Sequence, residues 1–185
     1  KVAHYQLART LFIQGNLEAS LHEIQKEIDL YPEVSKSYYL LGLIYGYMDR
    51  EQDAIDAFFI YIQKEPTTWA GRNDRAWLQF RIGDIDGALT TISPVASSTN
   101  NPWVQNTYGT LLMNKGDYSG ARTAFEKASL SATRMSAKDW GYAYPGNDPR
   151  IYEDGLRAMK LSIENNLSLL TKKEQEAKDN QKNKK

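Results

Sequence analysis

The sequence predicts an all-α chain: four antiparallel helix hairpins in a stack, followed by a separate terminal helix. Three observations predict it. Four columns of like residues recur at intervals of 34, 34 and 33 residues. Apolar residues within each copy fall 3 and 4 apart, the period of a helix face. Turn-forming residues return at one fixed place in every copy. A period of this length marks supersecondary units that bury their faces only by stacking on neighbours.

The columns define the elements. Ala8, Gly42, Ala76 and Gly109 are small, as are Ser20, Ala54, Ala88 and Ala121. They belong where the two helices of a hairpin cross, because a large side chain there would push the axes apart. Ile24, Phe58, Ile92 and Phe125 are large and apolar, suited to filling the space between hairpins. Gly15, Asp49, Gly83 and Gly116 mark the turn inside each hairpin, where glycine permits backbone angles other residues avoid. Pro32 and Pro66 close the second helices of copies one and two, since the residue before a proline is pushed out of helical geometry. The copies run over residues 1–34, 35–68, 69–101 and 102–133.

The third copy departs from the others. Arg75 and Gln79 stand where the other copies carry leucine or tyrosine, Arg72 stands where copy two carries Tyr38, and Pro94 falls inside its second helix. Proline removes a backbone donor there. The segment Thr90–Pro94 is therefore expected to end early, with 95–101 as loop. Local drift and a kink that reshapes the stack are both open readings.

Residues 134–148 have no counterpart in the repeat, and Trp140, Tyr142, Tyr144, Pro145 and Gly146 predict an aromatic loop. Asp148 and Pro149 then read as cap and first residue of a helix. Its apolar stripe, Tyr152, Leu156, Met159, Ile163, Leu167 and Leu170, carries spacings of 4, 3, 4, 4 and 3. A helix over 149–171 is expected to cap the stack, because the last repeat has no successor to cover its face. A dimerisation helix is the other reading. Residues 172–185 offer almost no core and predict frayed helix passing into a charged, disordered tail.

Composition limits the chemistry. Lysine plus arginine and aspartate plus glutamate both total 23, without the basic excess usual in a nucleic-acid binder. There is no cysteine, which removes disulfides and thiolate chemistry together. No apolar run approaches the roughly 20 residues of a membrane span, so no direct membrane insertion is expected. His4 and His22 are the only imidazoles, and with Glu18 they make a poor start to a metal site. Asp139, Asp148 and Asp154 lack the spacing of a known ion loop. No phosphate-cradling glycine loop is present. The run Gly42-Leu43-Ile44-Tyr45-Gly46 is read as close hairpin packing, not as a membrane dimer motif. No cofactor, no metal and no enzymatic activity are expected. The chain starts in helical pattern without a methionine, and is expected to be a piece of a longer protein.

The columns resemble the tetratricopeptide-repeat family. Copy two carries Tyr38, Leu41-Gly42, Tyr45, Ala54, Phe58 and Pro66; copy four carries Tyr108-Gly109, Leu112, Gly116, Ala121, Phe125 and Ala128. Copy one carries Leu7-Ala8, Leu11, Gly15, Ile24 and Pro32. The resemblance covers residues 1 to about 133 and is specific for fold, less so for function. It implies a right-handed superhelical α-solenoid whose first helices line a concave groove. Carried over position by position, the groove would hold Val2, Tyr5, Arg9, Phe12 and Ile13, then Lys36, Tyr39, Leu43, Gly46 and Tyr47. Copy three would add Ala70, Asn73, Trp77, Phe80 and Arg81, and copy four Trp103, Asn106, Thr110, Met113 and Asn114.

Aromatic residues and arginine are the usual anchors of binding hot spots. Asn73 and Asn106 share a column and could pair with an extended backbone. The resemblance thus implies a protein–protein interaction scaffold for another protein or an extended peptide. Some family members clamp a terminal carboxylate, but the matching positions here are Tyr5, Arg9, Leu40, Ala70 and Asp74, which do not suit one. The alternative is a structural self-assembly or tethering module of a larger protein, with or without a membrane anchor, and with homo-oligomers formed through the terminal helix. A third reading, an enzyme or small-ligand domain built around the Trp140–Asp148 loop, rests on aromatic clustering alone. The compartment stays open between cytoplasm and the soluble face of a membrane protein.

Overall fold

The structure, a computed structural model, describes residues 3–143 and 151–182. Among the described residues there are ten α-helices and no strand. They are α1 (Ala3–Ile13), α2 (Leu17–Leu30), α3 (Ser35–Tyr47), α4 (Glu51–Lys64), α5 (Trp69–Arg81), α6 (Ile85–Ala96), α7 (Pro102–Lys115), α8 (Tyr118–Arg134), α9 (Ala137–Ala143) and α10 (Tyr152–Lys182). They fall into two compact units, residues 1–91 and 92–185.

In the first unit the small columns do what their size allows. The Ser20 hydroxyl donates to the Ala8 carbonyl at 2.7 Å, closing the α1–α2 crossing. In α3, Gly42 faces the Phe58 ring so closely that an added Cβ would stand 2.7 Å from it. The next hairpin then seats on the first, with Leu41 and Tyr45 packed against Ala8, Leu21 and Ile24. The turn column is uniformly left-handed, with φ of 76° at Gly15, 55° at Asp49, 86° at Gly83 and 84° at Gly116.

A further column becomes visible only in three dimensions. The fourth residue of a copy donates to a carbonyl at the end of the copy before it. Tyr38 Oη donates to Pro32 O at 3.1 Å, and Arg72 Nε and Nη2 donate to Pro66 O at 3.2 and 3.1 Å. In the second unit Gln105 Nε2 donates to Ala96 O and Thr99 O at 2.7 and 2.6 Å. Phenol, guanidinium and amide thus satisfy carbonyls at or just past the end of the preceding helix.

The departures of copy three form one polar network around Thr91. Arg72 Nη1 donates to Thr91 O at 3.1 Å, and Arg75 Nη1 to Thr91 Oγ1 at 3.2 Å. The Thr91 hydroxyl donates to Gln79 Oε1 at 2.7 Å, and Gln79 Nε2 donates to Asp84 Oδ2 at 3.1 Å. Asp84 also accepts the Gly87 N–H at 2.9 Å, capping α6. The Arg75 guanidinium lies 4.9 Å above the Phe59 ring centroid, and burial pulls its pKa down. The expected early end at Pro94 is corrected: α6 runs through it to Ala96. Helical bonding resumes past the missing donor, from Ser97 N to Ser93 O at 3.1 Å, and Val95 and Ala96 are buried.

In the second unit Gly109 and Phe125 repeat the Gly42–Phe58 contact, again with 2.7 Å to an added Cβ. Asn101 Oδ1 caps α7 by accepting from Trp103 N and Val104 N. The apolar stripe of α10 packs on α8. Leu170 joins Met113, Ala121 and Phe125, while Ile163 joins Ala128 and Ala132. Arg122 forks onto the Glu174 carboxylate at 3.1 and 2.6 Å.

Two expectations about this end are corrected. The segment expected as aromatic loop is helical over Ala137–Ala143, because the Ser136 hydroxyl and Asp139 carboxylate cap it reciprocally. The segment expected as tail is helical to Lys182; Arg122 holds its first turn, and Gln175 bonds forward to Asp179. Tyr144, Pro145, Gly146, Asp148 and Pro149 lie outside the described residues.

Candidate binding surface

Several of the expected groove residues on the first helices of residues 1–91 fall into two groups. One group is tied into the fold. Tyr39 is only 7% exposed; its ring centroid lies 5.5 Å from that of Phe58 and 5.0 Å from that of Tyr61. Its hydroxyl donates to Asp74 Oδ2 at 2.9 Å. Asn73, 6% exposed, gives its amide to Asp74 Oδ1 at 3.2 Å. Tyr5 is half-buried beneath the Lys36 ammonium, 4.6 Å from its ring centroid. Burial raises the Tyr5 phenol above its ordinary pKa, with Arg9 opposing the shift.

The other group faces solvent. Tyr47 is 71% exposed and Trp77 44%. Each is braced from behind, Tyr47 edge-on by Phe12 at 5.2 Å and Trp77 by Phe80 at 5.5 Å. Between them lies a concavity of about 460 Å³, with Leu43 and Gly46 on one side and Phe58 and Leu78 in its lining. Asp49, Asp74 and Arg81 also line it, and Arg81 is held by Glu51 at 2.8 Å and Asp49 at 3.6 Å. This is a shape that accepts an apolar side chain, since rigid rings expose area without losing many rotamers on contact.

In the second unit the same columns meet the chain's own terminal helix. Asn106 Oδ1 accepts from Asn166 Nδ2 at 3.0 Å. Met113 is buried with Leu170, and Thr110 is buried with its hydroxyl on Asn106 O at 2.9 Å. His4 is engaged by Glu23 at 2.6 Å. Among the described residues no group of three or more His, Cys, Asp or Glu is placed to hold a metal, and no helix is long and apolar enough to cross a membrane.

The sequence reading missed the parts of the concavity that lie off the first-helix positions, Phe58 foremost. Gly46, a groove position by its column with Phe12, Phe80 and Met113, is also expected to pack closely with Gly42 between helices, yet an added Cβ there would meet nothing within 4 Å.

No known family profile matches the chain. The BBSome complex member BBS4 of Bos taurus is 22% identical over 144 residues, covering 77% of this chain. The chain spans about 27% of the length of that relative. Among solved structures, MamA superposes with a TM-score of 0.65 at 14% identity, covering 91% of this chain and 92% of MamA. YrrB, a TPR protein with an unusual peptide-binding site, gives a TM-score of 0.64 at 17% identity over 92% of this chain and 90% of its own. Likeness at these identities establishes the fold.

Proposed function

We propose that this chain, which has the tetratricopeptide-repeat fold, is a non-enzymatic protein-interaction scaffold, and that it holds a peptide segment of its partner on the first-helix face of residues 1–91. The observation that carries the reading is the pair of exposed, braced aromatics, Tyr47 and Trp77, flanking a mostly apolar concavity. An exposed apolar patch of this kind is a frequent mark of a partner site. Leu43, Phe12, Phe80, Arg9 and Arg81 complete the surface.

Magnitudes set the expected strength. A fully buried large apolar side chain contributes roughly 1.5–3 kcal/mol. Micromolar affinity needs about 8 kcal/mol net of ordering losses that are themselves several kcal/mol. Two strong anchors and a few weaker contacts therefore favour micromolar binding over anything much tighter. Self-association through the terminal helix is the less favoured reading, because its apolar stripe already packs on α8.

The test is partner capture by the intact chain against Trp77→Ala/Tyr47→Ala. Both rings are exposed enough for helical content to survive their loss, whereas Tyr39 holds Asp74 and is unsuitable as a probe. Loss of capture with unchanged helicity supports the assignment; undiminished capture refutes it.

A further inference from the structure

Almost every glycine of the first unit has a structural reason. Gly15 and Gly83 hold left-handed backbone. Gly42 and Gly71 lie against the rings of Phe58 and Tyr61, and Gly87 lies against the Asp84 carboxylate. Gly46 has none of these. It is absent from the positive-φ residues, and a Cβ added to it would meet open space. It stands in the last turn of α3, where glycine is a poorer helix former than nearly any other residue. Close packing explains the first glycine of the Gly42–Gly46 pair and leaves the second without a role in the fold. What Gly46 does border is the concavity between Tyr47 and Trp77.

We infer that Gly46 is a specificity-determining residue: its missing side chain keeps open an anchor pocket for one bulky, uncharged apolar side chain of the bound peptide, an aromatic ring above all. The inference rests on the peptide-binding reading and names what that site selects. Size and chemistry identify the occupant. A dry cavity of about 150 Å³ holds a benzene ring, so about 460 Å³ takes a large side chain together with part of its neighbours. Tyr47 and Trp77 offer ring faces and edges for offset or edge-on contact. The charged groups in its lining already have partners, Arg81 in Glu51 and Asp49, and Asp74 in Tyr39 and Asn73. A neutral ring enters without displacing them, whereas an anionic side chain would meet the Asp49 and Asp74 carboxylates.

The test uses the full chain as it stands and as Gly46→Phe and Gly46→Ala. Phenylalanine is the choice because copies one and three carry it in this column, at Phe12 and Phe80. The probe is indole, followed through the Trp77 side-chain N–H in 1H–15N spectra and identified by its loss in Trp77→Phe. Expected is a saturable shift in the unmodified chain, weakened at least tenfold in Gly46→Phe with the thermal midpoint unchanged or raised. Should Gly46→Phe fail to fold, Gly46→Ala still decides, with an expected weakening of two- to fivefold. Equal affinity across the variants, or no Trp77 shift in the unmodified chain, overturns the pocket. Partner capture separates the two claims. Capture lost in Trp77→Ala/Tyr47→Ala but kept in Gly46→Phe removes the pocket and leaves the surface. Capture kept in both removes the surface, and the pocket with it.

Discussion

The pairing of columns eight and twenty-four shows how single residues set the hairpin spacing. Where column eight is glycine, column twenty-four is phenylalanine, as at Gly42/Phe58 and Gly109/Phe125; where it is alanine, the partner is isoleucine, as at Ala8/Ile24 and Ala76/Ile92. The 2.7 Å approach of the Phe58 ring to an added Cβ explains the rule for copy two. Gly42→Ala should therefore destabilise by about 1–3 kcal/mol through overpacking, and Gly42→Ala/Phe58→Ile should recover most of the loss. Urea unfolding of both variants measures it. Glu23 gives a second residue-scale prediction. Hydrogen bonds from His4, then Lys26, lower its carboxyl from an ordinary 4.5 to about 2. A depressed carboxyl stabilises fully above its unfolded pKa and loses that contribution as pH falls through the folded one. The α1–α2 link should thus weaken between about pH 4.5 and pH 2. Unfolding midpoints at pH 5 and pH 3 should drop further for the unmodified chain than for Glu23→Gln.

At the scale of elements, copy three shows that broken columns need not mean a broken hairpin. Arg72, Arg75 and Gln79 are polar because Thr91 on α6 gives them a shared partner. Thr91→Val would leave the buried Gln79 carbonyl without its donor. The expected loss is about 1–3 kcal/mol, the desolvation penalty of an unsatisfied buried group, read from the denaturation midpoint. The terminal helix is the second case. Leu170 is fully buried among Met113, Ala121 and Phe125, so Leu170→Ala should cost about 2–5 kcal/mol. Hydrogen exchange should localise the loss to α8 and α10. The hairpins and the stripe of α10 were legible in the sequence because both are set by local periodicity. The path of α6 through Pro94 was not, since it depends on bonds that resume beyond the proline. The helical 137–143 segment was hidden by its aromatic content, which reads as loop until the Ser136–Asp139 cap is seen.

For the whole molecule, repetition predicts which residues lie on the first-helix face but not how far each stays open. Tyr39 and Tyr47 were equal candidates by position, yet one is locked to Asp74 and the other is largely exposed. The difference lies in side-chain burial between helices, which no column encodes. Asn106 and Met113 were equally plausible groove positions, and the chain's own terminal helix meets both. The proposed working surface therefore contracts to residues 1–91, with Tyr47 and Trp77 at its centre. Its most direct test is the affinity of a peptide selected by display against the intact chain, measured by calorimetry for that chain and for Trp77→Ala/Tyr47→Ala. Expected is a micromolar Kd that weakens at least tenfold in the double variant while the thermal midpoint holds. A Kd unchanged by removal of both rings would contradict it.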